Sequence, residues 1–208
     1  MAASPKTARK AKVSKAKISK PKTSKKPKAK TSKTKAPKTT PKRTTAKTSG
    51  PKGRGPLEAG SRAPAFTLPR DGGGTISLSG FKGRKLVLYF YPKAGTSGCT
   101  LEAHDFSRLA KAFDKAGTSI LGVSADPVKK LDSFRDKQDL AIPLASDETT
   151  KMLTTYGVWT EKSLYGRKFM GVERTTFLIG PDGTILRVWP KVKVAGHAAD
   201  VLKAVQDI

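Results

Sequence analysis

Cys99 is the only cysteine in this chain of 208 residues, and it stands in Pro92-Lys-Ala-Gly-Thr96-Ser-Gly-Cys99-Thr100, directly after the apolar run Leu86-Val-Leu-Tyr-Phe-Tyr91. A buried strand that ends in a turn and hands a lone thiol to the first turn of a helix sets sulfur against backbone N–H groups that have no intrahelical partner, where a thiolate is stabilised. A lone cysteine is more often a small buried hydrophobe, but this context points to a nucleophile. Disulfide reductase or isomerase chemistry is not expected, because the residues three before and three after Cys99 are Thr96 and Glu102 and no Cys-x-x-Cys occurs. One cysteine and two scattered histidines, His104 and His197, make no convincing zinc or iron site, so neither metal nor cofactor is expected.

The elements around this thiol read as alternating strands and helices. Ala65-Phe-Thr-Leu68 and Thr75-Ile-Ser-Leu78 flank the turn Asp71-Gly-Gly-Gly74 and predict a hairpin. That glycine triplet lacks the following helix and lysine of a phosphate-cradling loop. Leu86–Tyr91 is the continuous apolar strand of a sheet buried on both faces. Phe106, Leu109, Ala110 and Phe113 fall at helical spacing after Cys99, with the helix ending near Gly117. Ser119–Val123 reads as a strand, and Pro127 opens a helix with Val128, Leu131 and Phe134 inward. Asp132, Asp136 and Asp139 in that helix read as a solvated face rather than a metal site. Further on come a short strand at Ile142–Ala145, a helix from Glu148 to Tyr156, a hairpin formed by Arg174–Ile179 and Thr184–Trp189, and a helix from Ala198 to Val205. This order predicts an α/β fold with a central mixed sheet flanked by helices.

The charge divides the chain in two. Residues 1–57 hold 20 of the 42 Lys and Arg and none of the 16 Asp and Glu, so the formal net charge of +26 leaves only about +6 for the rest. With Val13, Ile18 and Leu57 as its large aliphatic residues, the first stretch cannot bury enough area to offset chain entropy, and residues 1–56 are expected to be a disordered Lys/Pro/Ser/Thr-rich tail. Ser-Lys recurs at 14, 19, 24 and 32 and Pro-Lys at 5, 21, 27, 37, 41 and 51, and the prolines break any amphipathic helix suited to a membrane. An extended polycation binds nucleic acid by counterion release and without reading sequence. Its phrasing resembles linker-histone tails, and Ser4-Pro5-Lys6 and Thr40-Pro41-Lys42 look like proline-directed kinase sites. Residues 57–208 are expected to form one domain. No run approaches a membrane span or an apolar secretory signal, which favours an intracellular location, a bacterial nucleoid or a eukaryotic nucleus.

Phe90-Tyr-Pro-Lys-Ala-Gly-Thr-Ser-Gly-Cys-Thr-Leu-Glu-Ala103, with Tyr156-Gly-Val-Trp159 and Arg174-Thr-Thr-Phe-Leu-Ile-Gly-Pro-Asp-Gly-Thr-Ile185, resembles the peroxiredoxin Q, or bacterioferritin comigratory protein, branch of the thiol peroxidases over about residues 57–208. The resemblance implies a thioredoxin-like fold and reduction of hydrogen peroxide and organic hydroperoxides. It implies Cys99 as the attacking nucleophile, Thr96 and Pro92 as the other motif positions and Arg174 as the active-site arginine. The roles also make physical sense. A guanidinium favours a sulfur anion and offers several fixed donors, the Thr96 hydroxyl and the Cys99 N–H can bond the peroxide oxygens, and Pro92 can wall the site from water. Glu102 is read only as a first-turn acid favouring the helix dipole.

Two departures from the family pattern matter. Ser97 stands where proline is usual, and His104 stands where many members carry a resolving cysteine. The sulfenic acid on Cys99 would then be resolved by an external thiol such as thioredoxin, glutathione or a glutaredoxin, in a one-cysteine cycle. His104 is not expected to be a base for Cys99, since five residues turn a helix by roughly 140°. Family habit implies a monomer. The competing reading is a nucleoid- or chromatin-associated DNA-binding protein whose domain senses peroxide or has lost turnover.

Overall fold

The computed structural model describes residues 57–164 and 166–208; the expected disordered basic tail over residues 1–56 lies outside the described residues. The chain opens with strands β1 (Thr67–Pro69) and β2 (Thr75–Ser77), paired antiparallel across Gly72, Gly73 and Gly74, all three at positive φ. A short 3-10 turn leads to β3 (Lys85–Phe90), then α1 (Ser97–Lys115), β4 (Thr118–Ser124), α2 (Val128–Gln138), β5 (Leu144–Ser146) and α3 (Lys151–Thr155). A hairpin of β6 (Trp159–Leu164) and β7 (Arg167–Val172) precedes β8 (Thr175–Ile179), β9 (Ile185–Trp189) and α4 (His197–Gln206).

Five strands form the central mixed sheet in the order β5-β4-β3-β8-β9. The pairs β3–β4 and β4–β5 are parallel, and β3–β8 and β8–β9 are antiparallel. Parallel neighbours need a long crossover, which α1 supplies between β3 and β4. This is the thioredoxin-like α/β fold with helices flanking the sheet, as expected from the sequence.

The continuous apolar run of β3 is explained by burial on both faces. Leu86, Leu88 and Phe90 point into one core with Phe66, Leu68, Leu153, Tyr156 and Phe177. Their alternates Val87, Tyr89 and Tyr91 enter the other, with Phe106 and Phe113 of α1, Leu131 and Phe134 of α2, and Val201 and Val205 of α4. Period-two side chains on a strand with no solvent face leave no room for a polar position.

The register between β3 and β8 places the functional residues. Phe90 lies opposite Thr175, so the carboxyl end of β3 and the amino end of β8 lie at the same end of the sheet. The chain leaves β3 toward Cys99 at that end and enters β8 there from Arg174.

Two features depart from the sequence reading. Arg174 precedes the strand it was expected to open, lying in the two-residue link between β7 and β8. The β6–β7 hairpin is not predicted by the sequence pattern; Arg167–Met170 are exposed at every position, so no apolar alternation marks the strand. The aspartates of α2 lie on a largely exposed face, as the sequence suggests, and make surface bonds there. Asp132 accepts the Gly72 N–H at 2.8 Å, Asp136 accepts from Arg135, and Asp139 ends the helix in the left-handed region at φ 48°. Among the described residues no helix is long and apolar enough to cross a membrane.

One close approach fixes a side chain beneath the site. Tyr89 lies opposite Gly122 of β4, and a Cβ on Gly122 would sit 2.5 Å from the Tyr89 Oη and 2.9 Å from Leu144 Cδ2. Glycine therefore permits the phenol ring to lie over the neighbouring strand. Gly122→Ala should lower the free energy of unfolding by about 1–3 kcal/mol, as overpacked core positions do, measured by urea denaturation; an unchanged midpoint would show that the ring shifts at no cost.

Candidate active site

Helix α1 begins at Ser97, so Cys99 is its third residue, one position inside the turn where unpaired N–H groups collect. The first backbone bond of the helix runs from the Thr100 N–H to the Thr96 carbonyl at 2.9 Å. The N–H groups of Ser97, Gly98 and Cys99 therefore precede the ladder and face the helix mouth. Cys99 is 1 % exposed.

Arg174 reaches it from the β7–β8 link. Its Nη2 donates to Cys99 Sγ at 3.2 Å, and its Nη1 donates to Glu102 Oε2 in a close ion pair. Cys99 and Glu102 are three apart on α1 and so lie on one face, where a single guanidinium spans both. The structure thus brings together Cys99 and Arg174, as expected, and adds Glu102. That carboxyl sits in the second turn rather than the first, is 1 % exposed and pairs with the arginine instead of serving the helix dipole. Its three-residue offset from the nucleophile was the available signal.

Burial pushes the Glu102 carboxyl up to about 7, against the opposing charge and hydrogen bond of Arg174. Burial lowers the Arg174 guanidinium, but Glu102 and the Cys99 sulfur outweigh it and hold the group above its ordinary value. Tyr89 lies close enough to feel both acidic neighbours. Burial first, then Tyr91, Glu102 and Cys99, raise its phenol well above the usual range, and its Oη has no hydrogen-bond partner among the described residues, like Glu102 Oε1.

The other two motif residues sit at the rim. Thr96 occupies the N-cap position of α1 with extended backbone but makes no side-chain cap bond; its exposed hydroxyl donates to the Lys93 carbonyl at 3.1 Å and closes the loop ahead of the helix. Pro92 is exposed at the start of that loop. A further wall comes from the segment after β9. The Val192 N–H donates to the Arg174 carbonyl at 2.9 Å, and Val194 Cγ2 approaches the Gly98 Cβ position at 4.0 Å, with Arg174 Nη2 at 3.5 Å from the same point.

Neither histidine reaches the sulfur. His104 Nε2 shares a hydrogen bond of 2.9 Å with Gln138 Oε1, on the side of α1 turned toward α2. His197 is buried, bonds the Thr176 hydroxyl at 2.9 Å and packs edge-on against Phe106 and Trp189. Burial, with Arg174 adding to it and Asp200 opposing, lowers His197 to about 4, so it is neutral in the folded protein near pH 7.

The chain that carries this site matches known proteins in sequence and in space. The AhpC/TSA family profile matches residues 59–188. A putative peroxiredoxin bcp of Coxiella burnetii is 49 % identical over 146 residues, 70 % of this chain and 97 % of that protein. Peroxiredoxin Bcp of Xanthomonas campestris is 48 % identical over 146 residues, 69 % of this chain and 91 % of that one. Among solved structures, Xanthomonas campestris peroxiredoxin Q superposes with a TM-score of 0.66 at 47 % identity, covering 68 % of this chain and 90 % of its own. Mycobacterium tuberculosis peroxidoxin BcpB gives 0.66 at 35 %, covering 73 % and 98 %. The chain belongs to the AhpC/TSA family, in its peroxiredoxin Bcp/Q branch, and is an oxidoreductase of the peroxiredoxin class.

The buried carboxyl makes a pH prediction. Glu102 holds its proton in the folded state up to about 7 against an ordinary value of 4.5. Its stabilising contribution is therefore fully present below 4.5 and is lost as pH rises through 7. Relative to wild type, Glu102→Gln should gain stability steadily between pH 5 and pH 8 in urea titrations; a pH-independent difference would show that the carboxyl is ionised throughout.

Proposed function

We propose that the protein reduces hydrogen peroxide and organic hydroperoxides through Cys99, in a one-cysteine cycle completed by an external thiol. The reading is carried by the 3.2 Å contact between Arg174 Nη2 and Cys99 Sγ at the mouth of α1. Sulfur attacks the near oxygen of the hydroperoxide, the O–O bond breaks, and the departing alkoxide or hydroxide takes up a proton, leaving a sulfenic acid on Cys99. The guanidinium is complementary to a sulfur anion before attack and supplies a fixed donor as charge moves onto the leaving oxygen. Thr96, whose hydroxyl already donates to Lys93, retains lone pairs that can accept the hydroperoxide O–H. Glu102 braces the guanidinium from behind, and Pro92, with no N–H to offer water, caps the loop side.

Residue 104 is histidine and no other cysteine occurs in the chain, which supports resolution by a thiol from outside, with thioredoxin, glutathione and a glutaredoxin as candidate classes. The basic residues of the segment 1–56 support salt-sensitive, sequence-blind nucleic-acid binding, which would hold peroxide removal beside DNA in a nucleoid or nucleus. The catalytic domain over 57–208 carries its own nucleophile, arginine and acid, consistent with a monomer.

Intact-protein mass spectrometry after one equivalent of hydrogen peroxide should show addition of one oxygen, and Cys99→Ser should abolish it. Arg174→Gln should slow that oxidation by about 10²-fold, the usual loss for a donor aimed at developing charge; a rate equal to wild type would remove the arginine from the reaction. Deleting residues 1–56 should abolish salt-sensitive DNA retardation while peroxidase turnover persists. Retardation that survives the deletion would place nucleic-acid binding elsewhere.

A further inference from the structure

The loop from Tyr91 to Thr96 sets where Pro92 and Thr96 stand relative to Cys99, and few bonds fix it. At its start the Tyr91 N–H donates to the Val123 carbonyl at 3.1 Å, and at its end the Thr96 carbonyl accepts the Thr100 N–H at 2.9 Å. Between these, Pro92 has no N–H to give, Gly95 sits at φ 81°, and the Thr96 hydroxyl bonds Lys93 inside the loop. Among the described residues, Ala94 supplies the one backbone N–H of residues 92–96 that bonds outside the loop, donating to Asp126 Oδ2 at 2.6 Å.

Asp126 is itself held in place to receive that bond. Strands β3 and β4 run parallel with Phe90 opposite Val123, so the link from β4 to α2 emerges at the same end of the sheet as the loop. The Ser124 hydroxyl donates to Asp126 Oδ2 at 3.1 Å, Lys130 Nζ pairs with Oδ1 at 2.5 Å, and the Ser146 hydroxyl donates to the Asp126 carbonyl at 2.6 Å. Ser124 and Ser146 are buried and the Asp126 side chain is 10 % exposed, so water competes poorly for its oxygens. Ala94 is buried in the core that holds Tyr91 and Phe134, where an N–H without an acceptor is costly. The bond is therefore both needed by the loop and fixed in direction.

We infer that Asp126 is a positioning residue for the reaction of Cys99: through the Ala94 N–H it fixes the Pro92–Thr96 loop so that the Thr96 hydroxyl can meet the hydroperoxide during attack. The inference rests on the proposed peroxidase reaction. Asp126 touches neither sulfur nor substrate, and it acts by keeping the Thr96 acceptor in register with the Arg174 donor. Loss of the tether leaves the contact of Arg174 with Cys99 intact and lets the loop drift, so the cost falls on alignment of the hydroperoxide.

The test uses the full chain and follows oxidation of Cys99 by hydrogen peroxide as intact mass over time, with urea midpoints measured alongside. Asp126→Ala should slow oxidation on the order of 10²-fold, the cost of misplacing a reacting group by about 1 Å. Asp126→Asn, which still offers Ala94 an oxygen acceptor, should recover most of that rate. Asp126→Ser, too short to reach Ala94 but still polar, takes the place of the alanine variant where that one fails to fold. In a Thr96→Val background Asp126→Ala should slow oxidation by a much smaller factor, because the group it positions is already gone; a general loosening of structure would act equally in both backgrounds. A wild-type rate in folded Asp126→Ala, an asparagine variant as slow as the alanine one, or the same fold-loss with and without the Thr96 hydroxyl would each overturn the inference. Failure of wild-type Cys99 to oxidise at all would instead overturn the underlying peroxidase reading.

Discussion

One guanidinium holds the site together. Arg174 bonds the Cys99 sulfur with one nitrogen and the Glu102 carboxyl with another, joining a helix to a strand link 75 residues away in sequence. Burying a charge in this way is costly unless each donor finds an acceptor. Here the two acceptors are presented by one turn of α1, so the arginine is fixed in direction as well as in charge. Removing Glu102 would leave the guanidinium with one anchor and freedom to swing away from sulfur.

That arrangement depends on strand register. Because Phe90 faces Thr175, the exit of β3 and the entrance of β8 lie side by side, and the two chain segments that carry the reacting groups are set down at the same end of the sheet. A slip of one residue would turn every buried side chain of β8 to the wrong core. Val87, Tyr89 and Tyr91 on one face, and Leu86, Leu88 and Phe90 on the other, make such a slip prohibitive. Packing far from the sulfur is thus what gives the sulfur its neighbours.

Much of this was readable in the residues alone. The strand, turn and helix around Cys99 carry strong local signals: an unbroken apolar run, a glycine-bearing loop, and Phe106 and Phe113 at helical spacing. Arg174 was recognisable through family resemblance, because nothing local distinguishes an arginine in a loop from one on a surface. The role of Glu102 is not legible in the helix pattern alone. Its burial arises from tertiary packing against Arg174, which no reading of the helix by itself supplies, although its offset from Cys99 put it on the correct face. The β6–β7 hairpin escaped for the opposite reason: its second strand is exposed from Arg167 to Met170 and leaves no hydrophobic imprint.

The double-sided burial of β3 also separates two timescales of opening. Its amides, paired to β4 on one side and β8 on the other, exchange with solvent hydrogen only when the whole core comes apart. The N–H groups of Ser97, Gly98 and Cys99 have no helical bond to break and exchange freely by comparison. The enzyme therefore mounts its reactive atom on the least protected turn of a helix while rooting that helix in the most slowly opening part of the molecule.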